Sequence, residues 1–200
     1  MDNQDKKREL ILEAAQKRFA HFGLAKTTMS EIAADLAFSK ALLYYYFPDK
    51  ISLFTAVLED IIHRYGEEIR PGILAKASAE EAILFQLEKR QEFMKKYYNL
   101  LQFTKATGPE LPAPLVELFN RTKQAELDLL KLILIKGIER GEIEFSYEPE
   151  YVAGIFLDAL GGLRINTYVP RLFLPSQEQF EQLLQKEKDL AVIFLSGLRK

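Results

Sequence analysis

The stretch from Thr27 to Lys50, TTMSEIAADLAFSKALLYYYFPDK, leaves few folds open to the chain. It holds two short helical patterns, separated by Ala37-Phe38-Ser39 and closed by Pro48. Thr28 and Glu31 stand at the capping-box spacing, where the hydroxyl accepts from one amide and the carboxylate reaches back to another. Ile32, Ala33 and Leu36 then give an apolar face with helical periodicity. Ser39 is suited to cap the second pattern, Lys40 to Phe47, which Pro48 ends because the residue before a proline is driven out of the α region. Two short helices joined by a tight turn form a helix-turn-helix, whose second helix can enter a DNA major groove.

In that second helix Leu43 and Phe47, four apart, are expected to face inward. Lys40, Ala41, Tyr44 and Tyr45 then face outward, with Ser39 at the start. Successive helix positions are about 100° apart, so Tyr44, Tyr45 and Tyr46 cannot all fill a core. An exposed tyrosine can donate to phosphate and pack on sugar or thymine methyl groups.

These residues resemble the DNA-binding segment of the tetracycline-repressor (TetR) family of bacterial regulators. The resemblance is carried by Thr28, Ile32-Ala33, Ser39-Lys40, Leu43-Tyr44-Tyr45-Tyr46-Phe47 and Lys50, about the first quarter of the chain. It implies that Lys40 and Ala41 read base edges while Thr28, Ser39, Tyr44, Tyr45 and Lys50 hold phosphates. The chain departs from the family at the turn, where Ala37-Phe38 replaces the usual Gly-Val. If the turn needs a left-handed residue, alanine there costs roughly 1 kcal/mol. Ser30 stands where many relatives place a basic residue.

Two hundred residues with 48% hydrophobic content can build a substantial core. The net charge of −2 argues against a protein that coats nucleic acid indiscriminately. Residues 1–50 carry eight Lys/Arg against seven Asp/Glu, so DNA affinity would have to come from placed contacts. The absence of cysteine fits a reducing cytoplasm and excludes thiolate metal sites. No apolar run approaches the length of a membrane span, and no secretory h-region follows the charged start. A cytoplasmic protein with no membrane partner is expected.

Along the chain, Ile11, Ala15, Phe19 and Phe22 lie on one helical stripe, and Gly23 is a stop. Lys6-Lys7-Arg8 opens this helix and is open to two readings, a solvated face or a basic arm near a phosphate backbone. Asp49 caps a fourth helix, expected from Lys50 to Arg70 and ended by Pro71-Gly72. Ser78 and Glu81 form a second capping box, opening a helix toward Thr107. Gly108, Pro109, Pro112 and Pro114 break the chain before a helix from Leu115 to Arg140, stopped by Gly141. Pro149 begins another helix to about Tyr168, and Ser176 and Gln179 box the last, with Phe180, Leu183, Leu184, Leu190, Ala191 and Phe194 along its seam.

The expected architecture is all-α, about nine helices, with a helix-turn-helix domain over residues 1–48 and a helical ligand-binding and dimerisation domain over 49–200. The Pro149–Tyr168 helix is apolar nearly all round and carries Gly154, Gly161 and Gly162 inside it. Such a helix needs cover on every face, and a second subunit is the obvious source. In TetR relatives the last two helices form a four-helix bundle across a two-fold axis. Asp158 on this helix needs a partner: a cationic ligand group, an arginine across the dimer (Arg164 is nearby in sequence) or solvent at a groove edge. Asn166 poses the same question. Phe85, Met94, Tyr98 and Phe119 (with Tyr97 and Phe103) either line a pocket or form plain core.

His21 and His63 form no metal cluster, and no G-x-S-x-G, phosphate loop or H-E-x-x-H is present. No enzyme, metal or cofactor is expected. The resemblance implies a ligand-responsive regulator, most often a repressor, acting as a homodimer on a palindromic DNA operator and answering to a small apolar or amphipathic ligand. The alternative is a helical carrier of an apolar ligand whose helix-turn-helix serves protein contacts.

Overall fold

The computed structural model describes residues 3–101, 111–168 and 175–199, excepting the side chains of Asn3 and residues 166–168. Eight helices and no strand lie among the described residues: α1 (Asn3–Lys26), α2 (Met29–Asp35), α3 (Lys40–Tyr46), α4 (Lys50–Leu74), α5 (Ala79–Leu101), α6 (Ala113–Glu139), α7 (Pro149–Tyr168) and α8 (Gln177–Ser196). The expected break at Gly108-Pro109, and Phe103, lie outside the described residues. Two compact units are present, Met1–Tyr65 with Tyr97–Arg121, and Gly66–Lys96 with Thr122–Lys200.

In the first unit, Ile11, Ala15 and Phe19 of α1 are fully buried with Ile32 and Leu43 of the next two helices. Phe19 meets Phe54 of α4 edge-on, ring centroids 5.0 Å apart. The α1 backbone is interrupted at Gly23 (φ 76°, ψ 167°), as the stop signal predicts. Buried Thr27 stabilises the interruption by donating its hydroxyl to the Gly23 carbonyl at 2.9 Å.

Helix α4 outruns its expected end and continues through Pro71 to Leu74. Proline removes one intrahelical donor. Ile69 and Ile73 on either side are buried, and the Ala75 amide closes on the Pro71 carbonyl at 3.0 Å. Burial of these side chains outweighs the lost bond.

In the second unit, α7 and α8 pack against each other, and Phe156 stacks on Phe194 at 4.7 Å. Phe194 therefore packs within the protomer, while Val192 and Ile193 beside it are exposed. Arg164 lies buried on α7. Its Nε donates to Glu187 of α8 at 2.7 Å and its Nη1 to Glu126 of α6 at 3.0 Å. Arg90 of α5 approaches the same Glu126 oxygen at 3.7 Å. Burial works against the Arg164 charge, but the pull of Glu126 and Glu187 outweighs it and pushes its pKa further up. Arg164 thus does not serve Asp158, which is exposed and lies 3.2 Å from Lys123.

Candidate nucleic-acid interface

Local chemistry sets the position of α3. Thr28 accepts from the Glu31 amide at 3.3 Å, and the Glu31 carboxylate takes the Thr28 amide at 2.8 Å, which completes the predicted capping box. The same carboxylate accepts the Thr28 hydroxyl proton at 2.7 Å. The side-chain and backbone hydrogen bonds from Thr28 hold the Glu31 pKa below the usual carboxylate range. Thr28 can therefore reach a phosphate as a donor only by exchanging this bond.

Arg18 of α1 fixes the far end of α2. Its Nε and Nη2 grip both Asp35 carboxylate oxygens, the second at 2.8 Å, and its Nη1 lies 3.5 Å from Glu31. The hydrogen bond from Arg18 holds the Asp35 pKa down, and that from Asp35 pushes the Arg18 pKa up. This clamp joins residues 17 positions apart and was not legible from the local pattern.

Between α2 and α3 the chain turns through a Schellman motif. The Phe38 amide donates to the Ala33 carbonyl at 2.9 Å and the Ala37 amide to the Ala34 carbonyl at 3.1 Å. Ala37 occupies the left-handed position with φ 52°, so the turn keeps the conformation glycine would favour and carries alanine in it.

Ser39 then caps α3 by accepting the Leu42 amide at 3.1 Å, in the role predicted for it. Its hydroxyl proton is left free to donate. Leu43 and Phe47 face the core. Lys40 and Ala41 are exposed, and Tyr44 and Tyr45 are 50% and 70% exposed. Tyr46 is half-buried and meets Tyr45 edge-on at 5.3 Å. The helix therefore offers one cation, one small side chain and two phenols on a single free surface. Lys50 is half-buried and donates to the Leu24 carbonyl at 2.8 Å, so it ties α4 to the end of α1.

The candidate ligand residues are divided between the units. Tyr98 (buried) and Phe119 (half-buried) belong to the first unit. Phe85, Met94 and Asp158 belong to the second. Phe85 packs its ring edge where a Gly72 Cβ would stand, 2.7 Å away, and Lys76 Nζ lies 4.4 Å above the ring. Asp158 lines an open groove of 630 Å³ with Tyr151, Gly154, Ile155 and Lys131. The Asn166 side chain lies outside the described residues. Among the described residues no group of three His, Cys, Asp or Glu could hold a metal ion, and no helix is long and apolar enough to cross a membrane.

Residues 11–57 match the model of the tetR family of bacterial regulatory proteins. The chain is similar to the HTH-type transcriptional repressor BepR of Brucella suis, 28% identical, with 78% of this chain and 77% of the relative covered. Its fold matches the crystal structure of a transcriptional regulator from Cytophaga hutchinsonii with a TM-score of 0.84 at 31% identity, covering 97% of this chain and 99% of that one. It also matches the fold of the regulator FadR from Bacillus subtilis in complex with stearoyl-CoA, TM-score 0.67 at 19% identity, covering 96% and 99%. Joined to the capped helix-turn-helix and its exposed Ser39–Tyr45 surface, these matches make this chain a member of the tetR family of bacterial regulatory proteins.

Proposed function

We propose that this protein is a cytoplasmic, ligand-responsive repressor that binds a palindromic operator as a homodimer. Residues 1–48 act as the DNA-binding part and 49–200 as the ligand-binding and dimerisation part. The observation that carries this reading is the free surface of α3, where Lys40, Ala41, Tyr44 and Tyr45 stand clear of the core. Lys40 and Ala41 read base edges. Ser39, Tyr44 and Tyr45 hold phosphates, and Thr28 and Lys50 join them by exchanging the internal bonds they make in the free protein.

The dimer reading is supported by α7. Tyr151, Ile155, Asp158, Gly162 and Ile165 are all exposed and follow one another at intervals of four and three residues. A Cβ added at Gly154, Gly161 or Gly162 would meet nothing within 4 Å. Each glycine weakens the helix by about 1 kcal/mol against alanine, and nothing among the described residues approaches closely enough to require it. The close approach of a partner's helix accounts for all three, with exposed Val192 and Ile193 of α8 as its neighbours.

Such a dimer presents its recognition helices to half-sites one helical turn of DNA, about 34–36 Å, or a multiple of it apart. A ligand releases the operator only if it binds the DNA-incompetent form better, and operator DNA must then weaken ligand binding by the same factor, typically 5–150-fold. The stearoyl-CoA complex of the Bacillus subtilis neighbour supports an amphipathic ligand. Phe85, Met94, Tyr98, Phe119, Asp158 and Asn166 are the residues proposed to meet it.

Selection of duplexes from random-sequence DNA, with the mass of the resulting complex, tests this reading. An inverted repeat carrying two chains is expected, and Ile155→Asp and Ile193→Asp should give folded monomers that do not bind it. A non-repeated site carrying one chain contradicts the dimer. Absence of any enriched sequence contradicts the DNA-binding reading and favours the carrier.

A further inference from the structure

We propose that Arg8 is a phosphate-positioning residue, held beside the C-terminal end of the recognition helix by the ring of Phe47. The proposal rests on the DNA-binding reading above. Arg8 stands three and four positions before Ile11 and Leu12, both buried, so it carries the inward stripe of α1 one turn further toward its start. Its guanidinium carbon lies 5.5 Å from the centroid of the Phe47 ring. Phe47 is the C-cap of α3, 5% exposed, with its amide on the Leu43 carbonyl. The Arg8 residue itself is exposed and has no ion pair or hydrogen bond among the described residues. Asp49, close by in sequence, is turned to cap α4, its Oδ1 accepting the Ser52 amide at 2.7 Å.

A cation–π contact at this distance leaves the N–H donors of the guanidinium largely free for an oxyanion. It also restricts the side chain before any ligand arrives, so less rotamer freedom is lost on contact with an oxyanion. Position adds the second half of the argument. A seven-residue helix is about 10 Å long at 1.5 Å per residue, and the major groove is about 12 Å wide. Ser39 at one end of α3, and Arg8 at the other, can therefore meet the phosphate walls on opposite sides of one groove. Exposed Lys6 adds charge to the same end of α1.

The experiment measures operator affinity against salt for the full chain and its variants, on a duplex enriched by the wild-type protein and on copies with single base pairs changed. Losing one phosphate contact should reduce the slope of log K against log salt by about 0.9, so that the gap between wild type and Arg8→Met narrows about 3.5-fold from 50 to 200 mM salt. The loss should be the same on every duplex, and Arg8→Lys should keep the wild-type slope. Lys17→Met is the control, because Lys17 is exposed and nine positions away, on the opposite face of α1. Circular dichroism confirms the fold, and Arg8→Gln replaces Arg8→Met if the latter melts. An unchanged slope in both neutral variants overturns the proposal, as does a loss confined to particular base pairs or shared equally by Lys17→Met. Salt-dependent binding by the wild type alongside those results leaves the DNA-binding reading standing. No such binding by the wild type removes both.

Discussion

Replacing Ala37 by glycine should stabilise the protein while leaving its contacts unchanged. Ala37 sits at φ 52° in the turn of the helix-turn-helix, is exposed, and loses no buried surface when its methyl is removed. A left-handed residue other than glycine costs roughly 1–2 kcal/mol, and the extra freedom of glycine in the unfolded chain takes back about 0.4–1 kcal/mol. The difference favours Ala37→Gly by about 0.5–1 kcal/mol, a rise in Tm of about 1–4 °C for a chain of this size. The same molecule supplies a matched control. Helix α6 ends in the same motif, with the Glu142 amide on the Gly137 carbonyl and the Gly141 amide on the Ile138 carbonyl, both at 2.9 Å, and Gly141 at φ 71°. Gly141→Ala should lower stability by about the amount Ala37→Gly raises it. Thermal and urea unfolding of the two variants measure both effects, and operator affinity should be unchanged by Ala37→Gly because the turn already has the geometry glycine prefers. A destabilised Ala37→Gly together with a neutral Gly141→Ala would refute the argument that backbone conformation governs these two positions.

Three further outcomes follow from named contacts. Arg164→Met strands Glu187, which is 2% exposed, and should cost about 3–5 kcal/mol in urea unfolding; adding Glu187→Leu should recover much of that loss, and an additive double variant would contradict the pairing. Glu31 and Asp35 have folded pKa values below their unfolded ones, so the stability they contribute is present above the ordinary carboxylate range near pH 4 and is lost as pH falls through the lowered values. Arg18→Met should therefore flatten the acid limb of the stability profile, and an identical limb in the variant would remove the clamp from the account. For the dimer, light scattering should show Ile193→Asp as a monomer with wild-type helix content, since the side chain is 70% exposed and touches little of its own protomer; a persistent dimer would move the interface elsewhere.

What was legible in the sequence was what acts over a few residues. The Thr28–Glu31 box, the Ser39 cap, the inward Leu43 and Phe47 and the glycine stops at Gly23 and Gly141 depend on neighbours within about one helical turn, and a linear pattern contains them. The left-handed conformation of Ala37 could also be anticipated, because the hydrogen bonds of a helix end require it whatever residue stands there. Long-range pairings were not legible. Arg164 takes its carboxylates from 23 and 38 positions away, and Lys50 reaches a carbonyl 26 positions back, separations that a local pattern does not carry. Pro71 misled for a different reason, since a local stop signal was overridden by burial of Ile69 and Ile73. The open surroundings of Gly154, Gly161 and Gly162 needed coordinates, because composition says that a helix is weakened and does not say what stands opposite it.

The most direct test of the central claim is the affinity of Lys40→Ala for the enriched duplex, set beside its affinity for duplexes changed at single base pairs. Lys40 is exposed at the first position of α3, immediately after the Ser39 cap, and carries no part of the core. The account predicts a loss of about 1–3 kcal/mol on the preferred sequence and reduced discrimination at one base-pair position in each half-site, with thermal stability unchanged. Wild-type affinity and wild-type discrimination in a folded Lys40→Ala protein would contradict the assignment of α3 as the reading helix.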